Sequence, residues 1–247
     1  VHKTGQHVLD QTASDRSAID RVYVWQGNSD LLLAVIKNLE DRLNVAYDTE
    51  RAKVRVIIVV EDSPAHYSAL LPILYKQIVT QTQAAMEESV NDEHRIFRMR
   101  ARPKILVAET YEEAMALYRR YQPYLLGVIS DVRFPRGGTL DETAGFLLLK
   151  AIRSENPDLP LLNLSSEEAN RGRAQEIPAV FINKNSPTLN AEVHDFFMTY
   201  LGFGDFVFRM PDGREIARAA DLRTMEKLLP DIPEASVEYH AQRNHFS

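Results

Sequence analysis

A chain of 247 residues, 45% hydrophobic and 26% charged, has a globular composition and is long enough for one ordinary domain plus substantial extra material. Its formal net charge of -6 argues against a general nucleic-acid binder, and the absence of cysteine excludes disulfides, zinc-thiolate centres and cysteine nucleophiles. No apolar stretch approaches the roughly 18 to 20 residues of a membrane helix, and the opening VHKTGQHVLDQTASDRS lacks the basic and apolar regions of a signal peptide. The expectation is a soluble, unexported protein of a reducing compartment, by default the cytoplasm. Val1 in place of Met suggests a processed or excised chain.

In chain order, DRVYVWQG (20–27) reads as a strand, and Leu32, Val35, Ile36, Leu39 and Leu43 space for one amphipathic helix. From residue 51 onward, short apolar runs alternate with helical patterns: VRVIIVVED (54–62), KILVAET (104–110), LLGVISD (125–131), LPLLNLSS (159–166) and AVFINKN (179–185). This alternation predicts an α/β chain with a doubly wound, five-stranded parallel sheet, covered on both faces because the runs are continuously apolar. Ser63-Pro64 supplies a helix start after the first run, and Pro72 predicts a kink inside that helix. Residues 83–103 exceed a minimal connection and hold the basic stretch RIFRMRARPK. Beyond residue 203, FVFRMPDGREIARA predicts a hairpin around Pro211-Asp212-Gly213, followed by two short helices. The expected organisation is an N-terminal extension (1–50), a central domain (51–202) and a C-terminal extension (203–247).

Sites in such sheets form outside the carboxyl ends of the strands, where Glu61, Asp62, Asp131, Ser165, Ser166 and Lys184 stand. Three carboxylates converging on one crevice repel each other unless a cation holds them, and oxygen ligands of this kind suit Mg2+. Asp131 then qualifies as a nucleophile toward a phosphoryl group, with Lys184 neutralising its oxygens and Ser165 hydrogen-bonding one of them. The product is an acyl phosphate whose charge draws the following loop inward.

The ordered motifs VVEDS, ISDVRFPRGG, LPLLNLSSEE and FINKNS resemble the CheY-like receiver domain of two-component response regulators, a flavodoxin-like fold, over residues 54–201. The resemblance implies Asp131 as phosphoacceptor, Glu61 and Asp62 as the acidic metal pair, and Arg133 as a metal ligand through its carbonyl. It also implies Ser165 and Phe181 as switch residues, Lys184 as the phosphate-binding lysine, and Pro135 and Gly138 as the proline and glycine of the phosphoacceptor loop. Asn185 departs from the usual proline after the lysine, and Ser166 from a common alanine; the 83–103 segment is longer than typical. More weakly, the whole resembles the N-terminal tandem-receiver region of bacterial pyruvate, phosphate dikinase/PEP synthase-like proteins. The N-terminal strand and helix would then end a degenerate upstream receiver, with Gln26 at the lysine position.

Plainer readings stand beside these. Asp131 alone reads as a cap or turn former, Ser165 with Glu168 as a capping box, Phe181 as ordinary core, His66 as helix surface, and His240 and His245 as surface histidines. The function expected is Mg2+-dependent phosphorylation of Asp131 by a histidine kinase or phosphotransfer protein. It would drive a phosphorelay switch toward an output domain or protein, in a chain that is not a turnover enzyme. A homodimer fits this reading; nucleic acid and membrane partners do not. The alternatives are a non-phosphorylated docking or dimerisation module of a larger phosphotransferase, and a Mg2+-dependent phosphohydrolase. Against the hydrolase stands Arg133, where such enzymes place a second acid.

Overall fold

A computed structural model describes residues 20–87 and 102–243. The chain divides into two compact units, Val1–Leu148 and Leu149–Ser247.

In the first unit, helix α1 (Asp30–Ala52) precedes β1 (Val56–Val60), α2 (Pro64–Glu87), β2 (Lys104–Ala108), α3 (Tyr111–Tyr121) and β3 (Leu125–Asp131). Every residue of β1 is buried, as expected of a β-branched run covered on both faces. It pairs in parallel with both neighbours, Val59 standing beside Val107 and Ile129. Helix α2 starts at Pro64, where Tyr67 N–H donates to the Ser63 carbonyl, and continues through Pro72. Thr110 caps α3 by accepting from Glu113 N–H at 3.2 Å. After β3 the chain forms an unexpected small hairpin, β4 (Phe134–Arg136) against β5 (Thr139–Asp141), before α4 (Ala144–Glu155).

Two N-terminal expectations are corrected. Residues 20–27 form no strand: Val24 N–H donates to Ser68 Oγ at 2.9 Å and the Val22 carbonyl accepts from the Tyr67 hydroxyl, so side chains of α2 take backbone groups a ladder would use. The apolar stripe of α1 is also turned outward. Its buried face is Leu31, Ala34, Asn38, Asp41, Val45 and Thr49, while Leu32, Ile36, Leu39 and Leu43 are exposed. The cause is Asp41, fully buried, whose carboxylate accepts from Arg102 Nη2 (2.6 Å), the Tyr75 hydroxyl (2.8 Å) and Ile105 N–H (2.9 Å). That cluster seats α1 against α2 and the edge strand β2.

In the second unit, β6 (Leu161–Ser165), α5 (Asn170–Gln175), β7 (Val180–Asn183) and α6 (Leu189–Tyr200) precede the hairpin β8 (Phe206–Arg209)–β9 (Glu215–Ala219). Helices α7 (Leu222–Leu228) and α8 (Glu234–Gln242) close the chain. The hairpin turns at Gly213, whose φ of 88° suits glycine. His240 is buried rather than on the surface: its Nε2 accepts from Arg209 N–H at 2.8 Å beside Phe206 and Phe208. His245 and most of the basic stretch lie outside the described residues.

The five long strands form one parallel sheet in the order β2-β1-β3-β6-β7, the 2-1-3-4-5 winding of the flavodoxin-like class. The expected fold class is thus observed, with β4–β5 and β8–β9 as separate two-stranded additions.

Candidate functional site

In this winding the chain leaves β1 outward to β2 and returns to β3, opening a crevice at the carboxyl ends of β1 and β3. Glu61 and Asp62 directly follow β1, and Asp131 ends β3. The ladder aligns Val60 with Ser130, so the residues after each point arrive at the same sheet edge. One carboxylate oxygen from each of Glu61, Asp62 and Asp131 lies within 4.8 Å of the others. These three predicted site residues are therefore brought together.

Glu61 is the most enclosed, 1% exposed. Its backbone N–H donates to the Ala108 carbonyl at 3.0 Å, and its Oε1 accepts from Ser63 N–H at 3.2 Å with His66 Nδ1 3.4 Å away. Three clustered, partly buried carboxylate oxygens are the hard donor set a divalent cation takes, so the residues fit such an ion.

The loop after Asp131 departs from expectation. Gly138 (φ 80°) is a turn glycine of the β4–β5 hairpin, with open space where a Cβ would stand. The glycine that the Asp131 backbone requires is Gly145: a Cβ there would lie 2.0 Å from the Asp131 carbonyl oxygen, and its N–H donates to the Val132 carbonyl at 2.9 Å. The signal for it was GFLLLK, a glycine opening an amphipathic helix. Arg133 Nη1 lies 3.4 Å from Glu142, both exposed, and the buried Phe134 roots the hairpin. Opposite, Glu112 accepts from Gly137 N–H at 2.9 Å, and this bond, first among its influences, holds its carboxyl below the ordinary glutamate range.

The remaining predicted residues belong to the second unit. Ser165 ends β6, buried, and its Oγ accepts from Glu167 N–H (3.1 Å) and Asn170 Nδ2 (2.9 Å), so its hydroxyl caps the loop in this state. Glu168 forms no capping box. It accepts from Arg171 and from Asn183 Nδ2, bonds that lower its carboxyl's pKa in that order. Phe181 is buried in β7 beneath the Arg171 guanidinium, 4.6 Å from its ring centroid. Lys184 directly follows β7, its N–H donating to the Ser165 carbonyl at 2.9 Å.

No protein-family model and no curated protein matches this chain. Among solved structures it is similar to response regulator receiver domains. One, from Clostridium thermocellum, is 14% identical with a TM-score of 0.38, over 57% of this chain and 90% of that one. The chemotaxis protein CheY4 of Vibrio cholerae is 18% identical, TM-score 0.36, over 60% and 98%. The CheX-CheY-BeF3-Mg+2 complex of Borrelia burgdorferi is matched at 20% identity, TM-score 0.37, over 62% and 92%. No helix among the described residues is long and apolar enough to cross a membrane.

Proposed function

We propose that the chain is a two-component receiver module that accepts a phosphoryl group on Asp131. The reading is carried by one observation: the Glu61, Asp62 and Asp131 oxygens converge within 4.8 Å at the crevice between β1 and β3. The receiver is assigned to residues 51–202, flanked by N- and C-terminal extensions.

A carboxylate oxygen of Asp131 attacks the phosphorus of a phosphohistidine on a kinase or phosphotransfer protein. The P–N bond breaks, a P–O bond forms, and the leaving imidazole takes a proton from water. Glu61, Asp62, Asp131 and the Arg133 carbonyl would hold Mg2+, whose charge offsets that of the phosphoryl oxygens. Lys184 is assigned to a phosphoryl oxygen as a fixed positive charge. Ser165, now accepting from Glu167 and Asn170, is assigned the switch: donating to a phosphoryl oxygen, it reorganises the loop it caps. Phe181 and the Arg171 above it are the aromatic element that this reorganisation moves.

The test is incubation with acetyl phosphate and Mg2+, followed by intact-mass measurement. A single phosphate adduct, lost in Asp131→Asn and on chelation with EDTA, is expected. An adduct that persists in Asp131→Asn overturns the assignment, and rapid release of many equivalents of phosphate points instead to the hydrolase.

A further inference from the structure

Helix α1 carries two stripes on opposite sides. Leu31, Ala34, Asn38, Asp41 and Val45 face inward, and at about 100° per residue Leu32, Ile36, Leu39 and Leu43 fall on the other side. The outer stripe is the more hydrophobic of the two. Leu43 is 71% exposed, Tyr47 68%, Ile36 63% and Leu32 61%, with Leu33 and Leu39 also open. An outward apolar stripe of this length is not what a solvated surface helix carries, because the polar residues that normally face water are here used for the buried Asp41 cluster.

We infer that this stripe is a homodimer interface, occupied by α1 of a second copy of the chain. Three observations select that partner. The spacing 32, 36, 39, 43 alternates four and three residues, the seam that takes an equivalent helix by knobs-into-holes packing and is self-complementary about a two-fold axis. The charges flanking the seam are already neutralised within the chain: Glu40 by Lys37 (2.8 Å) and Arg102 (3.2 Å), and Arg42 by Asp20 (2.8 Å), so two copies meet without unbalanced charge. Finally, six large apolar side chains offering roughly 100 Å² each give about 600 Å² per copy and about 1,200 Å² for a pair, the lower end of specific stable interfaces.

Residues 1–19 are a poor alternative occupant, since Val1, Val8, Leu9 and Ile19 are their only large aliphatic side chains. Among the described residues before the helix, Trp25, 58% exposed and five residues ahead of it, is a further exposed large apolar group.

The test is sedimentation equilibrium of the full chain from about 1 to 100 μM, with three proteins compared. Wild type is expected to dimerise in this range, and Leu39→Glu with Leu43→Glu to weaken association at least tenfold while keeping the wild-type circular dichroism spectrum and a cooperative thermal transition. Leu222→Glu, on an equally exposed leucine of α7, is expected to dimerise like wild type. A wild type that stays monomeric at 100 μM overturns the inference. So does a dimer that survives the double substitution, or one that Leu222→Glu dissolves equally. Because none of these substitutions touches Asp131, acetyl phosphate labelling reads the receiver assignment separately.

Discussion

Replacing Asp41 by alanine tests whether α1 is part of the folded unit or a loosely attached extension. The carboxylate takes four hydrogen bonds: two from Arg102 (2.6 and 3.2 Å), one from the Tyr75 hydroxyl (2.8 Å) and one from Ile105 N–H (2.9 Å). Lys104 Nζ stands 3.7 Å away and makes its closer pair with Asp48 at 2.8 Å. Burial works against the Arg102 cation, yet the Asp41 bonds prevail and hold its pKa above the ordinary arginine value. Burial, then the Asp41 charge, likewise pushes the Tyr75 phenol up.

Truncation leaves a buried guanidinium whose remaining partners are Glu40 at 3.2 Å and the Pro103 carbonyl at 3.3 Å. Removing one partner of such a pair costs about 3–5 kcal/mol, which at this chain length is roughly 6–20 °C in melting temperature. Asp41→Asn keeps one acceptor oxygen and should cost about 1–3 kcal/mol. Pairing Asp41→Leu with Arg102→Met removes both charges and should recover most of the loss. Urea titrations followed by circular dichroism measure all three. An alanine variant within about 1 kcal/mol of wild type is the value of a solvated surface pair; it would refute the buried-cluster reasoning.

At Gly145, alanine places a Cβ against the Asp131 carbonyl, so stability should fall by about 1–3 kcal/mol and acetyl phosphate labelling by at least about tenfold. Gly138→Ala meets no neighbour but its φ of 80° strains alanine by about 1–2 kcal/mol, so it should lose that stability yet label near the wild-type rate; equal labelling of both variants contradicts the close-approach argument. For Glu112 the folded pKa lies below the ordinary 4.5, so its bond to Gly137 contributes fully above that pH and is lost as pH falls through the depressed value. The Gly137 amide resonance should therefore hold steady from pH 7 to about 4.5, move only below it, and stay flat in Glu112→Gln. Movement centred above 4.5 refutes the sign.

Much of the sheet was legible because its strands are buried on both faces, and continuous Val/Ile/Leu runs mark such strands without help from their neighbours. The acidic cluster was legible for a related reason: strand order sends residues after β1 and β3 to one edge, so Glu61, Asp62 and Asp131 meet by topology alone. What was not legible depends on contacts remote in sequence. The 20–27 segment has strand composition, but whether it pairs is decided by Ser68 and Tyr67 on a helix more than forty residues away. His240 had no carboxylate or second histidine at ligand spacing. It is placed instead by the Arg209 amide, thirty-one residues earlier.

Helix α1 is the most instructive failure, because periodicity gives the spacing of a stripe and not what covers it. A helix whose leucines repeat at three and four residues is ordinarily placed with those leucines on the core. Here the opposite face carries an aspartate that finds an arginine, a tyrosine and a free strand-edge amide. Inverting the helix would strand that aspartate in solvent and leave the Arg102 guanidinium, 7% exposed, facing leucine. An unpaired buried charge costs more than the leucines would gain by covering an edge strand, so the polar face wins the inside. The apolar face is then left for a surface that the described residues do not supply, which is why the Asp41 cluster and the proposed α1 seam belong to one physical explanation. If Asp41→Ala let α1 roll its leucines inward, dimerisation would weaken although no seam residue had changed.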